Sequence, residues 1–133
     1  MEIILMSFAD SLAERVECET KRVGAILTDG SFTRIYSMGY NGGPRGQDWS
    51  CQLDGSACGC AHAEENALAK CCVDDPMKVL FVTVYPCARC ATLLINSGIS
   101  LIYYRHDHDK MEKPALMFEK EGVLTYKLTK EKE

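Results

Sequence analysis

Residues 78–104 read KVLFVTVYPCARCATLLINSGISLIYY, and this stretch decides the fold. Its first eight residues are almost all apolar and rich in Val, the composition of a strand buried on both faces. Pro86 ends that run, because proline has no N–H to give to a ladder. CARCATLLINSG then reads as a helix closed by Gly98. ISLIYY is a second strand. A strand, a crossover helix and a further strand imply parallel pairing. The pattern continues to the end of the chain. KMEKPALMFEKEG (110–122) is helical, with Pro114 in its first turn and Gly122 beyond its end. VLTYKL (123–128) is a last strand, and TKEKE is expected to fray.

Working backward, residues 3–17 interleave Ile3, Ile4, Met6, Phe8, Leu12, Ala13 and Val16 with acidic residues, which suits an amphipathic helix. RVGAILT and RIYSMGY flank an Asp29-Gly30 turn signal and predict a hairpin. Residues 41–60 are dense in Gly, Pro, Asp and Ser and read as a loop. Loops of this length in a compact domain are usually functional or tied down. A helix is expected from His62 to about Val73, with Cys71 and Cys72 late in it and at least one of them buried. No repeat or linker interrupts the pattern. Residues 1–133 are therefore expected to form one α/β domain, with a mixed sheet between helices.

The 133 residues carry a net charge of −4 with 26% charged and 47% hydrophobic residues, ordinary for a globular domain with one core. No basic footprint appears in the totals, which argues against a polynucleotide partner. No apolar run approaches the length of a membrane span. The opening MEIILMSF has Glu2 where a signal peptide carries positive charge, so a cytoplasmic location is expected. The eight cysteines then point to metal binding or simple burial rather than to disulfides.

His62 and Glu64 in CAHAEENAL (60–68), with Cys87 and Cys90 in PCARC (86–90), form the most specific pattern in the chain. One imidazole and two thiolates leave the fourth position of a tetrahedral zinc open, as catalytic zinc sites do. A helix start after a buried strand favours thiolate over thiol. Such a zinc activates water, and a neighbouring carboxylate must then carry protons to a leaving group. Taken alone, C-x-x-C also fits a redox pair or a structural zinc module. H-x-E followed, one strand later, by P-C-x-x-C is the signature of zinc nucleobase deaminases. Helical spacing by itself selects Glu65, three residues from His62, over Glu64.

The chain resembles the cytidine deaminase superfamily, and within it the deoxycytidylate (dCMP) deaminases. The resemblance rests on RVGAIL (22–27), GYNGGPRG (39–46), HAEENAL (62–68), YPCARCATLLINSGI (85–99) and IYY (102–104). It implies a three-layer α/β/α fold with about five strands and hydrolytic loss of an exocyclic amine, dCMP giving dUMP and ammonia. It implies His62, Cys87 and Cys90 as zinc ligands. It also selects Glu64 as the proton carrier, against the helical-spacing argument. Asn41 resembles the sugar-contacting asparagine, although Asn-Gly is also a common turn. Ala63 is expected to offer its N–H to the base carbonyl.

Tyr85 with Pro86, and Tyr104, are candidate pocket walls. Arg45 is a candidate phosphate contact, since guanidinium binds phosphate as a fork. Where the dCMP family carries a tyrosine beyond Tyr104, this chain has His106 and His108, whose role is left open. Cys18 and Cys51 fall where ligands of a second, structural zinc fall in some members, and Cys58 and Cys60 are candidates to complete a four-thiolate site. A homo-oligomer, commonly a hexamer, is likewise implied by resemblance only, as are dCTP and dTTP effectors with Mg2+. Alternative substrates are free cytidine, dCTP, a modified dCMP and adenosine in transfer RNA.

Overall fold

The computed structural model describes residues 1–16, 21–43 and 60–129. In chain order the elements are α1 (Glu2–Ala13), β1 (Gly24–Thr28), β2 (Ile35–Tyr40), α2 (Ala63–Lys70), β3 (Lys78–Val84), α3 (Ala88–Asn96), β4 (Ile99–His106), α4 (Glu112–Lys120) and β5 (Leu124–Lys127). The five strands form one sheet in the order β2-β1-β3-β4-β5. β1 runs antiparallel to both β2 and β3, while β3, β4 and β5 are mutually parallel. The hairpin and the two crossovers expected from the sequence are both present.

Alternation along the strands builds two cores. Ala25, Leu27, Leu80, Val82 and Ile102 face one side, beneath α2, α3 and α4. Ile26, Val79 and Phe81 face the other, beneath α1. The result is the three-layer α/β/α architecture. β3 is buried from Lys78 to Thr83, as its unbroken apolar run requires. Lys78 is the charged exception. Its ammonium donates to the carbonyl of Ser97 at 2.6 Å, at the C-terminus of α3, where the helix dipole favours a cation.

Both glycines placed by sequence at helix ends take the left-handed conformation, Gly98 at φ 84° and Gly122 at φ 73°. After α4, Val123 N–H donates to Phe118 O at 2.9 Å and Gly122 N–H to Glu119 O at 3.3 Å. That is a Schellman motif with Val123 and Phe118 both buried.

Three sequence expectations are corrected. α1 ends at Ala13 rather than at residue 17, and it buries Leu5, Met6 and Ala9. Ile3, Ile4 and Phe8 are exposed. Small Ala9 faces the sheet because its backbone lies against Gly24, where any side chain would collide with it. Next, α2 stops at Lys70, with Cys71 extended. The chain has only residues 71–77 in which to reach β3, and Pro76 disfavours a helical residue before it. Cys71 and Cys72 therefore lie beyond the helix and neither is buried: Cys71 is half-buried against the core and Cys72 is exposed.

α2 is seated tightly on β2. Ser37 Oγ donates to Ala67 O at 2.7 Å, and Asn66 Nδ2 donates to Tyr40 O at 2.8 Å. A Cβ at Gly39 would stand 2.6 Å from both Ala63 O and Ala67 N, so only glycine permits this approach. This seating fixes the start of α2 at the edge of the sheet where β3 and β4 end.

Candidate active site

His62 and Cys87 are the N-caps of α2 and α3, with extended backbones at ψ 159° and ψ 170°. The two helices lie side by side on one face. Their starts meet at the C-terminal edge of the parallel strands, where α/β folds place their sites. His62, Cys87 and Cys90 bring their ligand atoms within 4.8 Å of one another. His62 Nδ1 lies 3.2 Å from Cys90 Sγ and 3.6 Å from Cys87 Sγ. Zinc–nitrogen and zinc–sulfur bonds of about 2.0 and 2.3 Å at a tetrahedral angle place N and S about 3.5 Å apart. The donor set fits zinc, and its spacing does so with shifts of a few tenths of an ångström.

The electrostatics agree with metal binding. A hydrogen bond from Cys90, reinforced by His62, pushes the Cys87 thiol down to about 3. The same hydrogen bond and burial push the Cys90 thiol up. The bond to Cys87 holds the His62 imidazole above its ordinary value. A metal bound here would displace the protons that Cys90 and His62 hold, so its affinity would fall as pH falls.

The two glutamates divide cleanly. Glu64 is 5% exposed, and burial lifts its carboxyl from 4.5 to about 7. It lines a cavity of about 500 Å³ together with His62, Ala63 and Cys87. Glu65 points elsewhere. Its Oε1 accepts from His62 N–H at 2.8 Å, and its Oε2 accepts from Arg89 at 2.6 Å. The helical-spacing rule favoured Glu65 because it assumes a helical backbone at His62. As an N-cap, His62 lies outside the helix, and the rule does not apply to it.

The remaining candidates are distributed unevenly. Asn41 lines the cavity, but its side chain is engaged by backbone: Oδ1 accepts from Val23 N–H at 2.8 Å and Nδ2 donates to Lys21 O at 2.9 Å. Tyr85 is buried with one face on the cavity, and Tyr104 packs edge-on against it at 4.8 Å. Tyr104 and the buried Pro86 lie outside the cavity lining, so they support the wall rather than form it. His108 lines the cavity and His106, at the end of β4, does not. Arg45, Cys18, Cys51 and Cys58 lie outside the described residues, so of the proposed second zinc site only Cys60 is seen, half-buried beside Ala61.

Sequence reasoning missed the cations at the rim. Lys21, Arg22 and Lys110 line the cavity, with Asp107 and Asp109 interspersed. Lys21 and Arg22 precede β1, and Lys110 follows β4. Only the antiparallel pairing of β1 with β3 brings them to one edge, which no local pattern announces.

The model of the cytidine and deoxycytidylate deaminase zinc-binding region matches residues 2–106. The chain belongs to that family. Among relatives of this deaminase family, the deoxycytidylate deaminase of Mycobacterium phage D29 is 33% identical over 74% of the chain and 89% of its own length. That of Schizosaccharomyces pombe is 29% identical over 89% of the chain, which spans only 41% of the yeast protein. The dCMP deaminase of cyanophage S-TIM5, solved with dCMP and dUMP, superposes with a TM-score of 0.83 at 26% identity, covering 96% of both chains.

Proposed function

We propose that the chain is a zinc-dependent hydrolytic deaminase that converts dCMP and water to dUMP and ammonia. The observation that carries this is the buried Glu64 carboxyl, set beside the His62–Cys87–Cys90 cluster on a nucleotide-sized cavity. Zinc, held by those three residues, supplies a Lewis acid that makes water nucleophilic near neutral pH. Glu64 removes one proton from the attacking water and delivers it to ring N3, then takes the second from the new C4 hydroxyl and passes it to the departing amine as C4=O forms. Burial raises its pKa and a bound cation lowers it, and these opposed effects suit a group that must both take and give a proton near pH 7. Water oxygen bonds to C4, the C4–N bond breaks, and no redox partner is needed.

Ala63, the first residue of α2, carries one of the backbone N–H groups that a helix start leaves unpaired. Ala63 lines the cavity, which supports reading that N–H as the donor to the base carbonyl. Tyr85 forms an apolar wall for the ring. Asn41 fixes the 21–23 segment and thereby the position of Lys21. Lys21, Arg22 and Lys110 supply the charge that a 5′-phosphate requires. A cavity of about 500 Å³ lies in the range of small-molecule sites.

The family resemblance adds finer elements to the same reading. These are one catalytic domain over 1–133, a homo-oligomer, dCTP and dTTP as effectors with Mg2+, a second zinc on the 51–60 cysteines with Cys18, and a cytoplasmic setting. Among the described residues no helix is long and apolar enough to cross a membrane. The substrate is tested by ammonia release from dCMP, deoxycytidine, dCTP and a transfer RNA at equal concentration. Preference for dCMP supports the reading. Preference for deoxycytidine would reassign the cationic rim, and preference for the RNA would replace the substrate class.

A further inference from the structure

We propose that Glu65 and Arg89 act as a positioning clamp that sets the spacing of the His62–Cys87–Cys90 site. The inference rests on reading that cluster as a zinc site. Glu65 Oε1 accepts from the backbone N–H of His62 at 2.8 Å. Its Oε2 accepts from Arg89 Nε at 3.0 Å and Arg89 Nη2 at 2.6 Å. Arg89 stands between Cys87 and Cys90 in the first turn of α3. One carboxylate therefore joins the residue carrying the nitrogen ligand to the turn carrying both sulfur ligands.

Glu65's bond to His62 N–H closes the capping box of α2, a structural role that ends within α2, whereas its bonds to Arg89 reach across to α3. The Arg89 side chain is 60% exposed, and exposed ion pairs contribute only roughly 0–1 kcal/mol to folding. The placement matters more for the metal. A small slide of α2 against α3 moves His62 Nδ1 out of bonding range of an ion held by the two thiolates. Residues that orient metal ligands without touching the metal typically change affinity by about 10–100-fold when removed.

The test compares wild type with Glu65→Gln, Arg89→Met, Arg89→Lys and the Glu65→Gln/Arg89→Met double variant. Zinc affinity is read by competition with a chromogenic chelator, and geometry by the thiolate-to-metal absorption of the Co2+-loaded proteins. The expected result is a loss of about 10–100-fold in zinc affinity for each charge-removing single variant. The double variant should be no worse than the weaker single, since the two residues act as a unit. Lysine at 89 should recover part of the loss, and the cobalt band should shift in Glu65→Gln. The melting temperature of the zinc-free Arg89→Met protein should match wild type.

Zinc affinities within twofold of wild type, with an unchanged cobalt spectrum, would overturn the clamp. So would an affinity loss that merely tracks a lower zinc-free melting temperature. Because the readout is metal binding, a wild-type chain that binds zinc yet leaves dCMP untouched would reject the substrate and leave the clamp standing. A wild-type chain that binds no zinc would reject both.

Discussion

Replacing Glu64 by Gln should separate catalysis from stability in opposite directions. Burial raises the carboxyl from 4.5 to about 7, so the folded, zinc-free protein disfavours the charged form. Each pKa unit is worth about 1.4 kcal/mol, which makes the penalty about 3 kcal/mol once the group is ionised in both states. Below pH 4.5 both folded and unfolded chains hold the proton, and the penalty vanishes. Between pH 4.5 and 7 it grows as the unfolded chain loses its proton first. Glutamine keeps the shape and never ionises. Urea denaturation of the zinc-free proteins should give nearly equal stabilities at pH 4 and a Glu64→Gln advantage of about 3 kcal/mol at pH 8.5. Zinc should shrink that advantage, because a nearby cation favours carboxylate. The same variant, with zinc bound, should lose about a thousandfold in kcat. A stability difference that does not change with pH would refute the claim that the fold strains the Glu64 charge. Retained turnover would refute its role as the proton carrier.

Three other outcomes follow from the geometry. Cys90→Ser should fail to retain stoichiometric zinc after gel filtration, measured by atomic absorption, because Cys90 completes the three-ligand set. Gly39→Ala should force β2 away from α2 and lower stability by about 1–3 kcal/mol in thermal denaturation, because the new methyl meets backbone atoms at 2.6 Å that cannot rotate aside. Lys110→Ala combined with Lys21→Ala should raise KM for dCMP about tenfold or more while leaving weak turnover of deoxycytidine nearly unchanged. Equal effects on both substrates in steady-state kinetics would remove the phosphate from that rim.

The parts of the fold visible in the sequence were those fixed by local chemistry. The apolar run of β3, the glycines at 98 and 122 and the proline at 114 each dictate a backbone state on their own, and each stands where it was read. The inward face of α1 was not visible. Ile3, Ile4 and Phe8 look like core by type, but the helix presents Leu5, Met6 and Ala9 to the sheet because Gly24 admits a close backbone approach there. The end of α2 was overrun for a related reason: residues 71–73 tolerate a helix, and only the distance still to be covered to β3 forbids it. At the site, the His62–Cys87–Cys90 cluster was legible from spacing. The choice between Glu64 and Glu65 was not, because it turns on His62 being a cap rather than a helical residue. The cationic rim depends on strand pairing across the sheet and carries no local signal.

The most direct test is the loss of cytosine ultraviolet absorbance when dCMP is incubated with the zinc-loaded protein, with a zinc-stripped sample beside it. A steady loss that appears only with zinc, and yields dUMP, is the result predicted by the buried Glu64 beside a three-ligand zinc site. No loss, with one zinc per chain confirmed, would contradict it.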